Sequence, residues 1–187
     1  HNAIPHLLKV NELLCDTSAV YLGLLASCYG IDGNYKQAAF WGEKYLKALK
    51  DKNLNLNELT QALEMQSNIY FNGGAYAQAL EKQKEILDLY GDNDTEDPID
   101  KVYYLNKLGL IYYRLGYGKD AVQYGEKALE LLNGCNETRN DTVRALLLND
   151  LGLFYSECGN YKQAMVSELE ALRIMRETFP ENHPKIT

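Results

Sequence analysis

A ten-residue pattern that recurs four times constrains this chain more than any other feature. The pattern is a tyrosine, a glycine four residues later and an alanine nine residues later. Its copies begin at Tyr29, Tyr70, Tyr112 and Tyr155, so they lie 41, 42 and 43 residues apart. Self-similarity at a period of about 20–50 residues indicates a solenoid of stacked units. Such an array predicts a protein that binds another chain, without naming the partner.

The segments around these copies have the periodicity of helices. A leucine seven residues before each tyrosine and a small residue three before it fall on the same helix face as the tyrosine. The alternation that is typical of strands is absent. We therefore predict an all-α fold of antiparallel helix pairs that approach closely at the small residues. The leucines are Leu22, Leu63, Leu105 and Leu148, and the small residues are Ala26, Ser67, Gly109 and Gly152.

The repeat phase divides the chain into a single array. It continues across the polar stretch GDNDTEDP, which we therefore interpret as a surface loop between repeats rather than a domain linker. The chain begins without methionine, and its first residues read as the second helix of a repeat, so we expect it to be a fragment of a longer protein. The predicted limits are 1–15 for the second helix of a truncated repeat, 16–56, 57–98, 99–140 and 141–184 for repeats 1 to 4, and 185–187 for the start of a further repeat.

Composition excludes several classes of function. The net charge of −7 disfavours nucleic acid as a partner, because a phosphate backbone requires a cationic surface. No apolar run is long enough to span a membrane. The four cysteines form no CxxC pair, which favours reduced thiols and a cytoplasmic location. The three histidines lie near the ends of the chain, and no catalytic, metal-binding or cofactor-binding motif occurs, so we expect neither an enzyme nor a cofactor.

Two stretches carry a resemblance to a known family. LNKLGLIY (Leu105–Tyr112) and LNDLGLFY (Leu148–Tyr155) resemble the W-x2-L-G-x2-Y motif of the tetratricopeptide repeat, with leucine in place of the first aromatic. In repeat 2, Gln66 and Ser67 replace the Leu-Gly pair. The long period is similar to that of kinesin light chains and of bacterial regulatory proteins. The resemblance implies a right-handed superhelical solenoid. The family's second-helix aromatic is replaced by Gly42, Gln83, Gly125 and Glu168.

In arrays of this family the first helix of each repeat lines a concave groove. Counted from each tyrosine, the groove positions lie nine, six, five and two residues before it and one and two after it. In repeat 1 they are Val20, Gly23, Leu24, Ser27, Gly30 and Ile31; in repeat 2 Gln61, Glu64, Met65, Asn68, Phe71 and Asn72; in repeat 3 Tyr103, Asn106, Lys107, Leu110, Tyr113 and Arg114; and in repeat 4 Leu146, Asn149, Asp150, Leu153, Ser156 and Glu157.

Three asparagines at these positions suggest the chemistry of the groove. Asn106 and Asn149 hold the same position in adjacent repeats, and Asn68 lies one turn from it. A side-chain amide donates and accepts, as an extended peptide backbone requires, and asparagine is otherwise a poor mid-helix residue. We therefore predict a peptide-binding groove. Aromatic side chains would supply its pockets, and two cations would hold a carboxylate: Phe71, Tyr103 and Tyr113, and Lys107 and Arg114.

The sequence leaves three functions open. The first is an interaction module that binds a peptide or protein segment in the groove. The second is a regulatory or sensor segment of a signalling protein, of the peptide-pheromone receptor or nucleotide-switch type. The third is a structural scaffold that self-associates through the open ends of the solenoid, where apolar helix faces are exposed.

Overall fold

A computed structural model describes residues 3–14, 19–51, 56–90, 98–135 and 141–178. Within these residues the chain consists of α-helices joined by turns, so the fold class is the predicted one, an all-α solenoid of helical repeats. The handedness of its superhelix stays a prediction. The helices are α1 (Ala3–Leu14), α2 (Ala19–Ile31), α3 (Tyr35–Lys50), α4 (Leu56–Asn72), α5 (Tyr76–Tyr90), α6 (Pro98–Arg114), α7 (Gly118–Gly134), α8 (Asp141–Glu157) and α9 (Tyr161–Thr178).

The chain divides into two compact units. Unit 1 covers His1–Leu89 and unit 2 covers Tyr90–Thr187. In unit 1, α2 packs on α3 and α3 on α4; in unit 2, α6 packs on α7, α7 on α8 and α8 on α9. Unit 1 therefore contains the helix pairs of repeats 1 and 2, apart from Tyr90 at the end of α5, and unit 2 contains those of repeats 3 and 4. The limits drawn for the individual repeats stay predictions.

The tight turns between paired helices share one geometry. The pattern glycines Gly33, Gly74, Gly116 and Gly159 have φ of 73, 76, 80 and 75°. Side chains other than glycine adopt this left-handed conformation at a cost, which explains the fixed glycine. The carbonyl of each pattern tyrosine accepts a hydrogen bond from the backbone N–H five residues later, at 2.8–2.9 Å. The pattern thus ends one helix and starts the next.

The small residues lie where helices approach closely. A Cβ on Gly109 of α6 would be 2.9 Å from Phe154, and one on Gly152 of α8 would be 2.7 Å from Glu168. In repeat 2 the same position is Ser67, whose buried hydroxyl lies 3.3 Å from the Ala79 carbonyl oxygen. The predicted requirement for small side chains at these positions agrees with these contacts.

Candidate functional site

The first helices of unit 1 line an open depression of about 480 Å3 on the surface of the unit. Clefts of about 300–1,000 Å3 are typical of ligand sites in proteins. Two of the residues that line it, Tyr35 and Ile69, were not counted as groove positions. The other eight are groove positions from repeats 1 and 2, namely Ser27, Gly30, Ile31, Gln61, Glu64, Met65, Asn68 and Asn72. We call this surface the α2/α4 face.

The α2/α4 face combines amide and apolar side chains. Gln61 and Asn72 are exposed, and the Gln61 amide donates to Asn57 at 3.3 Å. The Ser27 hydroxyl lies 3.5 Å from the sulfur of Met65, and Ile31 is 85% exposed. Asn68 lines the depression, whereas Phe71 packs edge-on against Tyr76, with ring centroids 5.5 Å apart, and does not line it.

The first helices of unit 2 form a second exposed surface, the α6/α8 face. Three of its large apolar side chains are close to half exposed: Tyr103 at 46%, Leu146 at 48% and Leu153 at 41%. Tyr113 is half-buried, with its ring 5.8 Å from that of Phe154, and Arg114 is exposed at the end of α6.

Lys107 and Tyr103 of the α6/α8 face contact each other. The Lys107 ammonium lies 3.1 Å from the Tyr103 hydroxyl and 5.3 Å from the ring centroid. The ammonium therefore lies beyond the hydroxyl edge of the ring and donates a hydrogen bond to the hydroxyl oxygen. The two side chains predicted to act separately, as a cation and as a pocket wall, are thus one turn apart and joined.

One of the two equivalent asparagines, Asn106, contacts a carboxyl group. The Asn106 amide donates to Asp150 at 2.6 Å, and the neighbouring Asn149 amide also lowers the pKa of that carboxyl group. The Asn106 Oδ1 atom is buried and has no hydrogen-bond partner among the described residues. Burial raises the pKa of Asp150, and the two amides partly oppose that shift. Asn106 therefore positions Asp150, while Asn149 remains exposed.

Two glutamates that the sequence interpretation passed over bond the pattern tyrosines. The Tyr70 hydroxyl donates to Glu43 at 2.9 Å, and the Tyr155 hydroxyl donates to Glu126 at 2.6 Å. Burial raises the pKa of Tyr70, and burial followed by the bond to Glu126 raises the pKa of Tyr155 to about 12. Glu43 and Glu126 both lie fourteen residues after a pattern tyrosine, and that shared position is the signal that would have found them.

An exposed apolar surface also lies on the last described helix. Tyr161, Met165, Val166 and Leu169 of α9 are 58–70% exposed. Self-association through this end of the array stays a prediction. In the described part of the chain there is no cluster of three His, Cys, Asp or Glu side chains able to hold a metal ion. Among the same residues, no helix has the length and apolar character needed to cross a bilayer.

Comparison with known proteins identifies the repeats. Residues 102–133 and 144–185, both in unit 2, match the family model for the tetratricopeptide repeat. Unit 2 therefore carries tetratricopeptide repeats. Repeat arrays of this class present extended surfaces to protein partners. Among proteins with curated descriptions, none has significant sequence similarity to this chain.

Solved tetratricopeptide-type structures share the fold at low identity. A putative kinesin light chain from Podosopora anserina, with nearly identical repeats, is 17% identical over 96% of this chain and 89% of its own, at a TM-score of 0.79. BtubC from P. vanneervenii is 19% identical over 97% of this chain and 72% of its own, at 0.70. The apo form of RapI is 15% identical over 94% of this chain and 64% of its own, at 0.75. These matches show the fold and do not identify a ligand.

Proposed function

We propose that the chain is a protein-interaction module that holds an extended peptide segment of a partner against the first-helix faces of its repeats. The proposal rests on the depression of the α2/α4 face, which amide side chains line together with Met65 and Ile31. Amides satisfy the N–H and C=O groups of an extended backbone, and the apolar side chains receive the side chains between them.

The α6/α8 face supports the same proposal independently. Leu146 and Leu153 are seven residues apart, so they lie on one stripe of α8, with Asn149 between them. Tyr103 on α6 adds an exposed ring to this surface. Exposed apolar side chains on one stripe, with an amide between them, are covered more favourably by a peptide than by water.

The test is selection of peptides followed by calorimetry. A random dodecapeptide display library is panned on the wild-type chain, and enriched peptides are titrated into matched variants. Leu153→Ala, in the α6/α8 face, is compared with Leu169→Ala, an exposed leucine of the second helix α9. We expect Leu153→Ala to weaken binding about tenfold, since burial of one leucine contributes about 1–2 kcal/mol.

A second pair tests the α2/α4 face. Gln61→Ala removes an amide that lines the depression, and Gln78→Ala removes an exposed glutamine from the second helix α5. We expect peptides that bind unit 1 to be weakened several-fold by the first change and not by the second. Failure to enrich any peptide would refute the module. Losses confined to Leu169→Ala and Gln78→Ala would move the site to the second helices.

A further inference from the structure

A partly buried carboxyl group of the α6/α8 face, that of Asp150, has no cationic partner among the described residues. Asp150 accepts a hydrogen bond from the Asn106 amide at 2.6 Å. Burial is the first cause of its raised pKa, and no lysine or arginine of the described residues contributes to that shift. A carboxylate that leaves water usually recovers the lost hydration from a cation as well as from hydrogen bonds.

The surroundings of this carboxyl group hold more acceptors than donors. An ionised carboxylate accepts up to about four hydrogen bonds, and one side-chain amide of the described residues, that of Asn106, donates to Asp150. The Asn106 Oδ1 atom is a buried acceptor without a partner among the described residues. The polar groups at this point of the face therefore include more acceptors than donors.

The side chains around Asp150 suit the stem of a long basic residue. Leu146 lies four residues before Asp150 and Leu153 three residues after it, so both flank it on α8 and both are exposed. The methylene groups of lysine or arginine pack on such apolar surface while the charged end reaches a carboxylate. The adjacent cation on α6, Lys107, is held at the Tyr103 hydroxyl at 3.1 Å.

We infer that Asp150, held in place by the Asn106 amide, binds a cationic side chain of the peptide segment held against the α6/α8 face. This inference rests on the proposed function and adds the class of ligand, a segment with lysine or arginine at one fixed position. Arginine fits best, because its planar guanidinium can donate to both oxygens of a carboxylate. A metal ion does not fit, since one carboxylate and one amide oxygen are too few ligands for a hard cation.

The experiment compares the residues that two variants select. The random dodecapeptide library is panned on wild type, on Asp150→Asn and on Asp88→Asn, which removes the same charge from an exposed position of α5. We expect wild type and Asp88→Asn to enrich lysine or arginine at one position of an otherwise apolar motif. Asp150→Asn should keep the apolar motif and lose the basic position.

Calorimetry on the wild-type chain gives the same test without a variant. In an enriched peptide, the basic residue is replaced by citrulline, which has the shape of arginine without its charge. We expect affinity for wild type to fall at least about tenfold and affinity for Asp150→Asn to change less than about twofold.

The two proposals fail in different ways. If no peptide is enriched on wild type, the proposed function itself falls. If peptides are enriched but carry no basic position, or carry one that Asp150→Asn retains, the cation site is wrong while the interaction module stands. Circular dichroism of Asp150→Asn checks its helix content, and the citrulline comparison on wild type decides the matter if that content is reduced.

Discussion

At the scale of single residues, the pattern tyrosine has two functions that its spacing alone did not separate. Its carbonyl oxygen closes the turn, and in repeats 2 and 4 its hydroxyl bonds a glutamate of the preceding repeat. Glu43 and Glu126 are therefore inter-repeat contacts within their units. A hydrogen bond from a neutral hydroxyl to a charged acceptor is stronger than one between neutral groups.

We predict that Tyr155→Phe lowers the free energy of unfolding by about 1 kcal/mol, because it removes the bond to Glu126. Tyr155 has a raised pKa of about 12, so its contribution is complete below the unfolded-state pKa of about 10 and is lost as pH rises through about 12. Urea unfolding at pH 7 and pH 9 should give the same cost.

The matched control for that change is Tyr161→Phe on α9, a tyrosine that is 70% exposed. It should leave stability within about 0.5 kcal/mol of wild type. Removing the charge of the acceptor by Glu126→Gln, which leaves a weaker hydrogen bond between neutral groups, should reduce the cost of Tyr155→Phe. An equal cost for both tyrosine changes, or a cost unaffected by Glu126→Gln, would contradict the proposed contact.

The sequence predicted which positions face outward better than it predicted the contacts that the side chains make. Counting from the tyrosines selected most of the residues that line the α2/α4 depression, because helix geometry fixes which positions face outward. It could not show that the Asn106 amide donates a hydrogen bond to Asp150, since that contact joins residues 44 apart. Contacts between repeats depend on how helices pack, which a periodicity within one helix does not contain.

At the scale of helices, the position that lost the family's aromatic residue alternates between two kinds of contact. In α3 and α7 it is glycine, and the first helix of the next repeat lays a side chain on it: Gln66 on Gly42 and Leu151 on Gly125. In α5 and α9 it is Gln83 or Glu168, which reaches back within its own repeat, to Ser67 at 3.3 Å and over Gly152. The replacement of Leu-Gly by Gln66-Ser67 belongs to this alternation.

Gly42→Ala tests the alternation. A Cβ there would lie 1.8 Å from Gln66 Oε1, and Gln66 is fully buried with its amide donating to the Ala39 carbonyl. We predict a loss of about 1–3 kcal/mol in unfolding experiments, as for other overpacked sites. In a Gln66→Ser background, which makes room for the methyl group, the loss should shrink.

Gly30→Ala in α2 is the control, because the nearest atoms to its Cβ would be 3.9 and 4.0 Å away. Alanine in a helix is preferred to glycine by about 0.5–1 kcal/mol, so this variant should be as stable as wild type or more stable. Equal effects of the two alanines would show that the space above Gly42 is not used as described.

The helices themselves were within reach of the sequence. α6 begins at Pro98, in the first-turn position that suits proline, and each pattern glycine lies in a turn. The division into two units was not foreseen, since the repeat phase runs on through residues 91–97, which lie outside the described residues. A regular repeat period predicts that each repeat packs against its neighbours. It does not predict where the chain divides into compact units.

At the scale of the whole molecule, the charge sets a preference among partners. A net charge of −7 attracts basic segments and repels acidic ones, and salt screens that attraction. We predict that the association rate of an arginine-containing selected peptide falls about tenfold between about 0.05 M and about 0.5 M NaCl, measured by stopped-flow fluorescence. The citrulline form of the same peptide should show a smaller dependence. A rate that rises with salt would argue for an apolar or acidic partner instead.

The alternation at the second-helix position also limits how such a gene can change in length. Gly42 and Gly125 lie 83 residues apart. A deletion of residues 43–125 would join Gly42 to Glu126 and leave a glycine opposite Leu151. A deletion of residues 84–125 would instead put Gln83 opposite Leu151, where even a Cβ on Gly125 would come within 2.8 Å of that leucine. We therefore expect that these repeats are gained or lost in pairs, both in evolution and in engineered variants.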